Sequence, residues 1–178
     1  SYNAWDFCQM QYYLRYVLNV PDSGNKAADK GNIVHKALEL IGKRRVAEQS
    51  GEPKVYDEAF GDLGVDTKVI DSSFAHQTAW KHCTSQFTKH NWDNKDYDEC
   101  EKWTNDALEY KGGMFNPLNL NIVGVEQRFD IEIIKPWSKY SFKTPEGQLE
   151  GYLGLKGTVD LVTSPTPGVI EMIDWKTG

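Results

Sequence analysis

Apolar positions in the first 110 residues recur at intervals of three and four, the period of helices with one buried face. Residues 2–19 place Trp5, Cys8, Tyr12 and Tyr16 at that spacing, with Phe7, Leu14 and Val17 widening the stripe. Pro21-Asp22-Ser23-Gly24 ends it in a polar loop. A second helix is predicted over residues 29–48, with Ile33, Val34, Ala37, Leu38 and Ile41 on one side. Residues 51–64 read as a loop with a short helical turn. Two more helices are predicted over 66–89 and 96–110, each opened by an aspartate suited to capping.

Beyond Lys111-Gly112-Gly113 the pattern changes. Residues 120–134, 148–163 and 169–175 are rich in Ile, Val and Phe and read as three strands, with turns at 143–147 and 164–168. Helices first and strands second predict an α+β domain, a small mixed sheet flanked by helices. The division is a helical part over about 1–112 and a sheet-forming core over about 113–178, within one domain of 178 residues.

Composition narrows the class further. The chain is 39% hydrophobic and 26% charged, as in ordinary globular proteins, and no apolar run approaches the roughly 20 residues of a membrane helix. Cys8, Cys83 and Cys100 are odd in number and scattered, which argues against a disulfide framework and for a reducing, cytoplasmic compartment. The net charge of −6 runs against nucleic-acid binding over the whole surface. It does not exclude a local site, because an acidic cluster that holds a divalent cation contributes to that total. The opening helical pattern and the stop at Gly178 lead to the expectation of a fragment of a longer protein.

Chemistry concentrates near the C-terminal end, in Gly157-Thr158-Val159-Asp160 and Ile173-Asp174-Trp175-Lys176-Thr177-Gly178. Residues two apart on a strand face the same side, so Asp174 and Lys176 project together. A hairpin pairing would bring Asp160 beside them. Carboxylates suit Mg²⁺ or Mn²⁺, and a nearby ammonium suits the charge that grows on a phosphate under attack. The acid-x-Lys spacing alone is cheap: Glu52/Lys54, Asp66/Lys68, Asp93/Lys95 and Glu109/Lys111 repeat it. Only Asp174/Lys176 follows an apolar strand with a second acid-bearing strand just upstream.

Gly-x-x-Asp, a turn, and an apolar strand ending Asp-x-Lys-Thr-Gly resembles the RecB-like branch of the PD-(D/E)XK nucleases. The N-terminal region extends the likeness: Ser1, Phe7-Cys8, Tyr13, Arg15-Tyr16, and Gly31-Asn32-Ile33-Val34-His35-Lys36-Ala37-Leu38-Glu39. The resemblance implies a restriction-endonuclease-like core that hydrolyses DNA, as an exonuclease in repair, recombination or phage DNA processing. It implies His35, Asp160 and Asp174 as ligands of Mg²⁺ or Mn²⁺, the carbonyl of Trp175 as a further ligand, and Lys176 as the catalytic lysine. DNA ends, a bacterial or phage-infected cell and a helicase or recombination partner belong to the same expectation. Gln9 departs from the proline this branch often carries, and a downstream Gln-x-x-x-Tyr helix is not in the sequence. Some relatives bind an iron–sulfur cluster through one early and three late cysteines. Cys8 fits the early position, but Cys83 and Cys100 do not fit the late ones, so a cluster is unsupported.

Other candidates carry two readings each. Glu126 is a supporting residue near the metal or an exposed strand glutamate, and Glu39 shares the helix face of His35. Lys36, Lys43, Arg44 and Arg45 contact phosphates or form a solvated helix end. Tyr13 and Arg15 stack on and pair with DNA, or belong to a packed aromatic stripe. His76, His82 and His90 lack the spacing of a zinc site.

Overall fold

The central helix α1 (Lys26–Ser50) starts where the Asn25 side chain accepts the Ala27 amide at 3.0 Å, and it stops at Gly51, whose φ of 71° is left-handed. The computed structural model describes Met10, Tyr13, Leu14, Leu18 and residues 25–57, 61–145 and 147–176. The helix expected over 2–19 therefore lies largely outside the described residues. Helix α1 is buried on more than one side. Ile33, Val34, Ala37, Leu38, Leu40 and Ile41 are all essentially inaccessible, so one amphipathic stripe is too narrow a description.

Two helices pack on α1. Helix α2 (Ser72–Gln86) and helix α3 (Asn94–Gly113) contribute Ala75, Ala79, Cys83, Cys100 and Leu108 to the core. Their starts correct the expected caps. Asp66 caps only a one-turn 3-10 segment, and Asp71 caps α2 by accepting the Phe74 amide at 2.8 Å. Asp93 caps α3 in a reciprocal box, accepting from the Asp96 amide at 2.9 Å while Asp96 accepts from the Asp93 amide at 3.2 Å. Asp96 also receives Lys26 and Lys30 of α1, the latter at 2.7 Å. Burial works against its charge, yet these two ammonium groups hold its carboxyl well below the usual carboxylate range.

On the other side of α1 lies a sheet ordered β3 (Ile122–Glu132), β6 (Gly154–Thr163), β7 (Glu171–Ile173), with β6 central. Two hairpins stand apart from it: β1 (Lys54–Asp57) with β2 (Gly61–Asp66), and β4 (Lys139–Thr144) with β5 (Gly147–Tyr152). The first replaces the predicted loop over 51–64. Strand β4 is an addition to the predicted elements, and the single strand expected over 148–163 is divided into β5 and β6. Every pairing among the described residues is antiparallel, which corrects the expectation of a mixed sheet. Parallel neighbours need a long crossover, whereas β6 and β7 are joined by a short turn and the chain between β3 and β6 is taken up by the β4–β5 hairpin. The α+β class and the restriction-endonuclease-like arrangement of helices on a small sheet hold. No helix among the described residues is long and apolar enough to cross a membrane.

Helix and sheet approach closely at Gly42. A Cβ there would stand 3.2 Å from Val125 Cγ2 and 3.5 Å from Leu161 Cδ1, so the glycine lets α1 settle onto β3 and β6. Gly157 makes room within the sheet instead. A Cβ would meet the Phe129 ring at 2.7 Å, because that ring lies across the glycine from the paired strand.

Candidate metal centre

His35 sits seven residues before Gly42, two turns back on the same face of α1. The close packing at Gly42 therefore carries the imidazole to the sheet. Its Nδ1 lies 3.4 Å from Asp160 Oδ1, with Asp160 nearly buried at 8% exposure. The other carboxylate oxygen, Oδ2, accepts the Trp175 amide at 2.7 Å, which fixes the Asp160 side chain and ties the end of β7 to β6.

Register brings a second acid to the same place. Val125 pairs with Leu161 and Gln127 with Val159, so Glu126 lies across from Asp160. Its φ of 49° is uncommon for a residue with a Cβ and interrupts the regular ladder at this one position. Ligand atoms of His35, Glu126 and Asp160 all lie within 4.8 Å of one another. Burial raises the Glu126 pKa, and the charges of Glu39 and Asp160 push it the same way against His35 and Lys36. Glu39 is itself held by Lys36 at 2.8 Å and Lys43 at 2.7 Å.

The donor set fits a small hard cation. Neighbouring donors around an ion with bonds of about 2.1 Å stand roughly 3 Å apart and opposite ones roughly 4.2 Å. Separations of up to 4.8 Å would close by about 0.6 Å for an opposite pair, and by more for neighbours, around such an ion. An imidazole nitrogen and carboxylate oxygens suit Mg²⁺ or Mn²⁺ better than a thiolate-seeking metal.

A sequence model of the PD-(D/E)XK nuclease superfamily matches residues 1–178. The chain belongs to that superfamily. No curated protein and no solved structure matches it. Membership in the PD-(D/E)XK superfamily makes nuclease chemistry with a divalent metal the expected activity, and the chain carries an acidic, histidine-bearing cluster that could hold such a metal.

The remaining candidates divide. Asp174 and Lys176 face each other in an ion pair on the surface, and Asp174 is outside the three-residue cluster. That pair raises the Lys176 pKa, through its hydrogen bond to Asp174 first. The β6–β7 pairing of Leu161 with Ile173, extended by one step, sets Asp174 across from Asp160. Arg44 and Arg45, expected to reach phosphates, are engaged in holding the fold. Arg44 donates to the Ile70 carbonyl at 2.8 Å and pairs with Glu48, and Arg45 donates to the Leu120 carbonyl at 3.0 Å. Tyr13 is exposed and its carbonyl accepts the Leu18 amide at 3.0 Å. Cys8 and Arg15 lie outside the described residues. Burial pushes the thiols of Cys83 and Cys100 up to about 11 and about 12, so both are packing residues of α2 and α3. Sequence reasoning ranks Glu126 as supporting. Its full place in the cluster follows from a pairing 34 residues along the chain, which periodicity does not encode.

Proposed function

We propose that the chain hydrolyses phosphodiester bonds in DNA with Mg²⁺ or Mn²⁺, as an exonuclease of repair, recombination or phage DNA processing. The observation that carries this reading is the meeting of His35, Glu126 and Asp160, from a helix and two strands, in a chain of a nuclease superfamily. The RecB-like resemblance of the His35 and Asp174-Trp175-Lys176 motifs supports the exonuclease and DNA-end assignments.

In this reading His35, Asp160 and Asp174 hold the cation, with Glu126 beside them. Asp174 joins by turning its carboxylate from Lys176 toward Asp160, its neighbour across the ladder. The Trp175 amide is committed to Asp160, and its carbonyl would offer a neutral oxygen to the ion. The bound cation supplies Lewis-acid polarisation of the scissile phosphate. Lys176, released from Asp174, orients the attacking water and stabilises the charge that accumulates on the phosphate oxygens. Glu126, beside the ligands, would take a proton from that water and return it to the leaving oxygen.

Cleavage of end-labelled DNA in Mg²⁺ or Mn²⁺ tests the reading. Asp160→Asn and Asp174→Ala are expected to abolish it, and Lys176→Ala to slow it by about 10²–10³-fold, while circular dichroism stays native. Persistent cleavage by all three removes the assignment. A wild-type chain that neither binds Mn²⁺ nor cuts DNA is a nuclease-fold binding or scaffold subunit instead.

A further inference from the structure

A groove of about 740 Å³ runs between the C-terminal half of α3 and the end of β7. Its walls include Trp103, Tyr110, Phe115 and Met172, and its rim includes Asp174 and Lys176. We propose that this groove holds one unpaired nucleobase next to the scissile phosphate, so that the substrate is a single-stranded DNA end. The inference rests on the nuclease reading above and adds the strand state of the substrate.

Three observations carry it. The first is adjacency. A phosphate that reaches Lys176 leaves its attached nucleoside against the groove, because the two share a boundary. The second is the chemistry of the walls. Tyr110 and Phe115 lie nearly parallel, at 20° with ring centroids 6.0 Å apart, and Trp103 adds a third ring one helical face along α3. Tyr110 remains 53% exposed and Met172 73% exposed, so part of the ring and the thioether can be reached by a ligand. Aromatic faces of this kind stack on any base. The third is charge. Lys111 Nζ stands 5.3 Å from the Tyr110 ring centroid, which sets a second cation beside the groove in addition to Lys176. Asp106 on the same wall is turned toward Lys102 at 3.8 Å.

The local backbone presents Tyr110 in this way. Tyr110 leaves the helical region with ψ of 129°, and Lys111 follows with φ of 48°, so the end of α3 breaks just where the ring must turn outward. A volume near 740 Å³ lies within the roughly 300–1,000 Å³ of small-ligand sites, enough for a nucleoside.

The test is a fluorescence-anisotropy titration of the full chain with labelled oligothymidylate and with a labelled blunt duplex, in Ca²⁺. Tyr110→Ala and Phe115→Ala are each expected to weaken oligothymidylate binding about tenfold, the scale of one lost stacking contact, while Tyr110→Phe retains it. Blunt-duplex affinity is expected to be the same in all variants. Equal oligothymidylate affinity in Tyr110→Ala and wild type overturns the proposal. So does equal weakening toward duplex, or no binding of oligothymidylate by the wild type. Failure of the nuclease reading has a separate signature: ring-dependent binding persists, yet no DNA is cut in Mg²⁺ or Mn²⁺.

Discussion

Asp160 makes two contacts that pull in different directions. Its Oδ2 is fixed by the Trp175 amide, which leaves Oδ1 directed at His35 and at whatever cation the cluster holds. Asp160→Asn keeps the shape but removes one of the three carboxylate charges, Glu126 and Asp174 supplying the other two. Isothermal titration with Mn²⁺ should show affinity lost or reduced by an order of magnitude or more, about 1.4 kcal/mol per factor of ten. Lys176→Ala should instead leave Mn²⁺ affinity in place and lower the cleavage rate by about 10²–10³-fold, the scale of one lost charge-stabilising donor. Glu126 supplies a pH prediction. Its folded pKa is raised, so the unfolded chain holds fewer protons there, and stability falls as pH climbs from the ordinary carboxylate value of 4.5 through the raised one. Thermal melts of metal-free Glu126→Gln should lack that loss and exceed wild type near neutral pH. A melt no higher than wild type would contradict the electrostatic account.

At the scale of elements, α1 decides whether the imidazole reaches the sheet. Gly42→Val places a branched side chain where even a single carbon would stand 3.2 Å from Val125. Overpacking of this sort costs about 1–3 kcal/mol, and the shift of α1 should weaken Mn²⁺ binding beyond what the melting temperature alone explains. Retained Mn²⁺ affinity with a lowered melting temperature would show that α1 is not what aims His35. The junction of α1 with α3 has its own pH dependence. The Asp96 carboxyl is depressed by Lys26 and Lys30, so its stabilisation is present above the ordinary carboxylate value of 3.8 and is lost as pH falls through the depressed one. Asp96→Asn should cost about 1–3 kcal/mol at neutral pH by removing a buried acceptor that two ammonium groups share, with a flattened acid limb in denaturant titrations.

For the molecule as a whole, the cluster links folding to the cation. Like-charged acids repel without an ion, and a ligand bound by the native state alone stabilises it by about 2.7 kcal/mol at a hundred times its dissociation constant. Mn²⁺ should therefore raise the melting temperature of wild type, and Asp160→Asn should lose most of that rise. The net charge of −6 looks different once the fold is known. Many cations are committed internally: Lys36 and Lys43 to Glu39, Lys30 to Asp96 and Glu99, Arg44 and Arg45 to backbone carbonyls. A basic run in the sequence is thus a poor guide to a phosphate-binding surface.

The helices-then-strands order, the α+β class and the positions of α1 and β3 were legible in the sequence, because helical and strand periodicity are local properties of a dozen residues at a time. The hairpin that pairs β6 with β7 was legible too, since a short turn between two strands leaves few registers. What the sequence did not carry was set by contacts between distant residues. Strands β1, β2 and β4 have weak apolar patterns and exist through their pairing partners, which is why two of them read as loop. Glu126 enters the cluster through its pairing with a strand 34 residues away and a left-handed backbone at one position. Arg44 and Arg45 meet carbonyls 26 and 75 residues on. Residue types and spacing determined which side chains could serve a metal-dependent nuclease; tertiary packing, at Gly42 and along the β3–β6 ladder, decided which of them meet, because that meeting depends on register and helix placement rather than on neighbours in the chain.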